Sequence, residues 1–303
     1  MRIQFPTIAL GAALSLALAA AAAEAQGPGR RRNEIPADVE VLRDLEFGTG
    51  GGRPLLLDLY RLKSRAPQPA PAVVVIHGGG WAKGDKATVF GAIALAQRGF
   101  IAVSVNYRLS GEAPFPAAVE DCKCAVRWLR AHAEEYAIDP DHIGAWGSSA
   151  GGQIALMVAY SEAGKFEGTG GWKDQSSRVQ AVCSWFGPTD MRIVDRPPYA
   201  YLGGSLRDAP KQYELASPVV HVSADDPPTQ LAYGDQDPVV PFEHAESLAA
   251  RLKEAGVEFE LLVVENAGHG FKPMGSASPS LGLREVEDRS AEYFERKLKP
   301  AAK

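Results

Sequence analysis

The amino-acid sequence predicts an α/β protein in which a mostly parallel central sheet carries helices on both faces. From about Val39 onward, strand-like and helix-like segments alternate, as they do when parallel strands are joined by helical crossovers. Two runs, residues 72–76 and 100–107, are too apolar for strands with one solvated face. Hydrophobic residues make up 46% of the chain and charged residues 23%, the balance of an ordinary globular protein.

The elements follow in order along the chain. Residues 39–47 and 54–60 are predicted as opening strands, antiparallel because the Gly-rich turn 48–52 joins them. The later predicted strands are short apolar segments bounded by turn residues: 72–76, 100–107, 142–146, 179–185, 229–233 and 257–264. The predicted helices have apolar residues at helical spacing: 85–98, 116–133, 150–160, 241–255 and 282–298. Two stretches, 161–178 and 187–228, break this rhythm and are predicted as loops bordering a site beyond the carboxyl ends of the strands.

The N-terminus has the pattern of a secretory signal. Arg2 precedes an uncharged Ala/Leu-rich run over residues 8–23, and a small-x-small site ends at Ala25. The run is shorter than the ~20 residues that span a bilayer, so cleavage is favoured over an uncleaved anchor. We therefore expect a signal peptide at 1–25, a polar lead-in at 26–40 and a single catalytic domain at 41–300. The protein is expected to be secreted or periplasmic after cleavage near Ala25, without a stable membrane anchor.

Charge and cysteine content exclude several classes of function. Lys and Arg total 32 against 37 Asp and Glu, so no basic excess favours nucleic acid as a partner. The three cysteines, Cys122, Cys124 and Cys183, are too few for a disulfide scaffold and unsuited to a Cys-ligated zinc site. If their helix and strand pack in one layer, Cys124 and Cys183 form a bridge; otherwise all three are buried thiols. No metal-ligand spacing and no dinucleotide-type glycine fingerprint is found, so we predict neither a metal nor a cofactor.

A candidate nucleophile lies at Gly147-Ser148-Ser149-Ala150-Gly151, between a predicted strand and a predicted helix. A G-x-S-x-G sequence in that context places Ser149 on a sharp turn, and the glycines allow the backbones to approach closely. The motif alone is weak, since it arises by chance in many chains, but its strand and helix neighbours strengthen it.

A second motif, His77-Gly78-Gly79-Gly80-Trp81, directly follows the apolar strand 72–76. Consecutive glycines let a backbone direct its N–H groups at a ligand, as in an oxyanion hole. Gly79, Gly80 and Ala150 are therefore predicted as the donors. His77 is predicted to brace this loop by hydrogen bonding and not to act as a base.

A serine nucleophile needs a histidine base and a carboxylate that holds it, which in this fold follow in the order Ser, Asp, His. Gly234-Asp235-Gln236-Asp237-Pro238 follows one predicted strand and Ala267-Gly268-His269-Gly270 the next. His269 is the predicted base. Asp237 is favoured as its partner over Asp235, because Asp235 can close a local turn while the following proline biases Asp237 to an extended conformation.

Together the HGGGW, GSSAG, GDQDPVVP and AGHGF motifs resemble those of α/β-hydrolase serine esterases, specifically the bifunctional feruloyl and acetyl xylan esterases and the hormone-sensitive lipases. The resemblance covers roughly residues 40–298. It implies an α/β-hydrolase fold, Ser149 as nucleophile, His269 as base, Asp237 as its partner and no cofactor.

The expected activity is that of a secreted serine carboxylester hydrolase on short-acyl or aryl esters, such as the acetyl or feruloyl esters of plant polysaccharides. An arylformamidase or amidase of the kynurenine formamidase type and a lipase are the alternatives. Trp81 and Trp185, beside the predicted site, are expected to line the substrate pocket. The expected substrate is a small-molecule or polysaccharide ester.

Overall fold

A computed structural model describes residues 35–64, 68–88, 90–195 and 197–299. The predicted signal peptide and residues 26–34 of the predicted lead-in lie outside the described residues. The elements from Ala37 onward belong to one compact unit.

In the described part of the chain, eight strands form one sheet in the order β1-β2-β4-β3-β5-β6-β7-β8. The first two strands pair antiparallel, β2 pairs antiparallel with β4, and every other pairing is parallel. The strands are β1 (Val39–Gly50), β2 (Arg53–Leu62), β3 (Ala70–Ile76), β4 (Ile101–Val105), β5 (Ile138–Ser148), β6 (Ala181–Trp185), β7 (Thr229–Gly234) and β8 (Phe259–Val264). The predicted α/β fold class is thereby confirmed, including the antiparallel opening pair.

Helices cover the sheet. They are α1 (Ala92–Gln97), α2 (Ala117–Ala131), α3 (Ala133–Tyr136), α4 (Ala150–Tyr160), α5 (Tyr199–Leu202), α6 (Pro210–Leu215), α7 (Glu243–Ala255) and α8 (Leu283–Leu298). Every residue of α4 is buried, because this helix packs between the sheet and its neighbour α2. The α1 and α8 helices contact each other. Among the described residues, no helix is long and apolar enough to cross a membrane.

Two predictions about local structure are wrong. The predicted helix 85–98 begins only at Ala92, because Gly91 has φ +68° and its N–H donates to the carboxylate of Glu287 on α8. The predicted loop 187–228 contains the short helices α5 and α6 and two 3₁₀ turns, Met191–Ile193 and Pro218–Val220. Side-chain bonds hold this segment: Ser217 Oγ, for example, accepts the N–H of Met191 at 2.8 Å.

The cysteines occupy different layers, so of the two alternatives the Cys124–Cys183 bridge does not form and all three thiols are free and buried. The Ser184 hydroxyl lies beside Gly152 of α4, and successive strand residues point to opposite faces, so Cys183 faces away from α4. Cys124, on the α2 helix that packs against α4, lies 3.5 Å from the carbonyl oxygen of Phe47. The sheet therefore separates the two sulfur atoms.

This separation has a measurable result. Denatured but unreduced protein should take up three alkyl groups per chain, at Cys122, Cys124 and Cys183, when treated with iodoacetamide. Intact-mass spectrometry should give the same count in a control that is reduced before alkylation. A gain of two further labels in the reduced control would contradict the arrangement of these layers.

Candidate active site

Ser149 occupies a strained turn between β5 and α4, with φ +54° and ψ −122°. Such a backbone is rare for any residue but glycine and persists only where the surroundings hold it. Here the backbones nearly touch: a Cβ on Gly147 would lie 1.9 Å from the carbonyl oxygen of Gly151, and a Cβ on Gly151 would lie 2.2 Å from that of Ile76. Only glycine fits at either position, and the turn presents the Ser149 hydroxyl at the end of the sheet.

A chain of two hydrogen bonds runs from Ser149 through His269 to Asp237. The Oγ of Ser149 lies 3.0 Å from Nε2 of His269, and Nδ1 of His269 lies 2.8 Å from Oδ2 of Asp237. The other oxygen of Asp237 accepts the N–H groups of Val239 and Val240 at 2.8 and 3.0 Å, which fixes the carboxylate. With Nδ1–H donated to Asp237, Nε2 is free to take the serine proton.

Asp235 has a different role from Asp237. Its Oδ1 accepts the N–H of Ala267 at 3.2 Å, and its own N–H donates to the carbonyl oxygen of Val264. It therefore joins the loop after β7 to the loop after β8. The structure places Asp237, and not Asp235, against His269.

The glycine loop after β3 lies against the nucleophile, since a Cβ on Gly78 would come within 3.2 Å of the Cβ of Ser149. Gly79 has φ +124°, and its carbonyl oxygen accepts the N–H groups of Ala82 and Lys83, so that oxygen points into the loop. The N–H groups of Gly79, Gly80 and Ala150 donate to none of the other described residues. They remain available to a developing oxyanion.

His77 lies inside the glycine loop. Its Nδ1 donates to the carbonyl oxygen of Gly78 at 2.8 Å, and its ring stacks on Tyr107 with 4.4 Å between centroids. The Tyr107 hydroxyl in turn donates to the carbonyl oxygen of His77. Burial lowers the pKa of His77, because it disfavours the charged imidazole. A neutral ring with these partners braces the loop.

A buried ion pair anchors the chain just after this loop. Lys86 Nζ lies 2.6 Å from Oδ1 of Asp58 on β2, whose side chain is fully buried, and the backbone N–H of Lys86 donates to the side chain of Asn106. Sequence reasoning missed this anchor. The available signal was a carboxylate in the apolar strand sequence Leu-Leu-Leu-Asp-Leu-Tyr.

Trp81, which follows Gly80, packs into a polar and aromatic junction. Its ring stacks on Tyr201 of α5 with 4.8 Å between centroids, and its Nε1 donates to Oε1 of Gln153 at 3.0 Å. The same Gln153 oxygen accepts the Tyr201 hydroxyl at 3.2 Å, and the Gln153 amide donates to the carbonyl oxygen of Ala216. Gln153 was not among the predicted site residues, although it is the one polar side chain with hydrogen-bonding capacity in the α4 sequence before Tyr160.

Trp185 does not line the site, in contrast to the expectation. It is buried among Trp146, Phe90 and Phe271, and its Nε1 donates to the hydroxyl of Ser290 on α8. Because successive side chains of β6 point to opposite faces of the sheet, Trp185 lies on the same face as Cys183, the face away from α4.

The neighbouring Phe186 lies beside the base instead. Its ring centroid is 4.7 Å from that of His269 and 4.9 Å from that of Phe271. The side chain of His269 remains 26% exposed. Among the described residues, no group of three or more His, Cys, Asp or Glu side chains is placed to hold a metal ion.

Comparisons with known proteins agree with this geometry. Residues 57–252 match the BD-FAE family. The probable carboxylic ester hydrolase LipM of Mycobacterium tuberculosis is 32% identical over 268 residues, which are 83% of this chain and 61% of LipM. The chain thus spans about three fifths of the length of the curated relatives it matches.

Solved structures are also similar. A truncated carbohydrate esterase from gut microbiota has a TM-score of 0.75 at 26% identity, over 91% of this chain and 100% of that one. Esterase Est2 of Thermogutta terrifontis has a TM-score of 0.71 at 27% identity, over 88% of this chain and 96% of that one. Structures of Est2 with propionate or butyrate bound match as well. The resemblance to α/β-hydrolase esterases is therefore confirmed.

The two aspartates give a sharp test of the geometry. In Asp237→Asn, the amide oxygen would keep the N–H groups of Val239 and Val240, so the NH₂ group would face Nδ1 of His269 and force the wrong tautomer. We expect the kcat of ester hydrolysis to fall by about 10³-fold or more. Asp235→Asn, the matched control, retains an acceptor for Ala267 and should keep most activity. The reverse order of the two losses would contradict the assignment.

Proposed function

We propose that this chain, which belongs to the BD-FAE family, is a serine carboxylester hydrolase that acts on short-acyl or aryl esters. One observation carries the proposal: the hydrogen-bonded chain from Asp237 through His269 to Ser149 lies against the glycine loop, where the N–H groups of Gly79 and Gly80, like that of Ala150 after Ser149, have no other described partner. This combination supplies a nucleophile, a base and an oxyanion hole. The esterase names of the relatives support the same activity.

The reaction follows from these positions. His269 Nε2 takes the Ser149 proton while Oγ bonds to the ester carbonyl carbon, and the carbonyl oxygen becomes an oxyanion held by the N–H groups of Gly79, Gly80 and Ala150. The intermediate then expels the alkoxy group, which receives the proton from Nε2. Water attacks the acyl-enzyme with His269 again as base, and the carboxylic acid leaves as Ser149 regains its proton. Asp237 stabilises the protonated imidazole in both steps.

The alcohol part of the substrate is proposed to be large. His269 gives its proton to the leaving alcohol, and both His269 and Ser149 are partly exposed, whereas the Asp237 side chain is fully buried. The leaving group therefore has access to solvent, as an acetyl ester on a polymer requires. The carbohydrate esterase among the similar structures and the propionate and butyrate bound to Est2 support short acyl groups on such alcohols. Acetyl or feruloyl esters of plant polysaccharides are our proposed substrates.

A polysaccharide substrate also fits an exported enzyme. We propose that the protein is secreted or periplasmic and is cleaved after Ala25, on the basis of the N-terminal sequence pattern. N-terminal sequencing of the exported protein should give a first residue of Gln26. A mature chain that begins at Met1 would contradict this proposal.

A panel of substrates tests the activity. Wild-type protein and Ser149→Ala should be compared on p-nitrophenyl esters from acetate to laurate, methyl ferulate, acetylated xylan and N-formylkynurenine. We expect kcat/KM on the p-nitrophenyl series to peak between acetate and butyrate and to fall at least about tenfold by octanoate, which is ~1.4 kcal/mol of transition-state binding. Ser149→Ala should lose about 10⁴-fold or more of kcat.

The other outcomes of the panel contradict the proposal in distinct ways. Faster turnover of N-formylkynurenine than of any ester would establish an arylformamidase. A preference for laurate would establish a lipase. Ester hydrolysis that survives Ser149→Ala would remove the nucleophile from the mechanism.

A further inference from the structure

The tetrahedral intermediate fixes where the acyl chain must go. The carbon bonded to Ser149 Oγ carries three other groups: the oxyanion, the leaving alkoxy oxygen and the acyl chain. The oxyanion takes the side of Gly80 and Ala150, and the alkoxy oxygen must lie near Nε2 of His269, which protonates it. The acyl chain must therefore point away from His269.

Next to the glycine loop and the first turn of α4, three side chains form a closed junction. Trp81 continues the chain directly from Gly80, and Gln153 lies one helical turn after Ser149, with its backbone N–H bonded to the Ser149 carbonyl oxygen at 3.1 Å. Tyr201 stacks on Trp81 and is 1% exposed. Phe186, in contrast, packs against His269 on the leaving-group side.

We infer that the stacked pair Trp81 and Tyr201, held by Gln153, is the wall that ends the acyl pocket and restricts the enzyme to short acyl groups. The inference rests on the proposed esterase function and assigns its acyl specificity to particular side chains. The carbonyl oxygen of Tyr201 also accepts the N–H of Phe115 at 2.7 Å, so the wall is tied to the body of the domain.

The hydrogen bonds make this wall stiff. Gln153 is fully buried, and its oxygen accepts from both Trp81 and Tyr201 while its amide group donates to Ala216. Moving either ring would leave a buried polar group unpaired, which is unfavourable. A longer acyl chain cannot displace the rings without that loss. Replacing Tyr201 by a small residue would instead open apolar space, where burial of a longer acyl chain is favourable.

The test is the ratio of kcat/KM on p-nitrophenyl octanoate to kcat/KM on p-nitrophenyl acetate, measured in three variants. In Tyr201→Ala the ratio should rise at least tenfold over wild type. Tyr201→Phe keeps the ring and should retain the wild-type ratio within about threefold. Tyr199→Ala is the matched control: it lies on the same short helix, is 56% exposed and should leave the ratio unchanged.

An unchanged ratio in folded Tyr201→Ala would overturn the inference. If that variant fails to fold, wild-type protein decides: p-nitrophenyl phosphonates with ethyl and octyl groups on phosphorus should inactivate it at rates that differ at least tenfold in favour of ethyl. Equal rates would overturn the inference as well. Absence of Ser149-dependent ester hydrolysis in wild type would instead refute the proposed function, so the two failures are distinguishable.

Discussion

The close contact of three backbone segments at the carboxyl ends of β3 and β5 is the constraint on which the site depends. Gly147, Gly151 and the carbonyl oxygen of Ile76 approach so closely that no side chain fits between them. This packing stabilises the left-handed turn at Ser149 and aligns the first turn of α4 with the glycine loop after β3. The backbone of Ser149 and the N–H groups proposed to hold the oxyanion are thus positioned by main-chain packing, which has no rotamer freedom to lose.

The sheet order then brings the other groups together. Because β5, β6, β7 and β8 are parallel neighbours, the loops that follow β7 and β8 lie at the same edge as Ser149. The Asp235 carboxylate joins those two loops by accepting the N–H of Ala267, and backbone N–H groups fix the Asp237 carboxylate. Strand order therefore determines which loops meet, while polar contacts within the loops set the distances between the reacting atoms.

The sequence predicted those parts that depend on local rules. Apolar runs gave the strands, glycine spacing gave the nucleophile turn, and chain order gave the positions of Asp237 and His269 relative to each other. It failed where a side chain acts through partners remote in sequence. Gln153 and Lys86 have roles only because Tyr201 and Asp58 fold against them, and no periodicity indicates such pairs. Trp185 and Cys183 lie on the face of the sheet away from α4, and this location likewise depends on which helix covers each face.

The buried pair of Lys86 and Asp58 has a consequence for the way the protein opens. Asp58 belongs to β2, in the antiparallel part of the sheet, and β2 is far in the strand order from β7 and β8. Its partner Lys86 lies in the segment that follows the glycine loop of the site. If the hairpin of β1 and β2 detached in a local fluctuation, the Lys86 ammonium group would lose its buried partner and the glycine loop would lose an anchor. Hydrogen exchange at the opening hairpin and at the amides of the oxyanion loop should therefore be correlated, which makes the edge of the sheet part of the same cooperative unit as the catalytic centre.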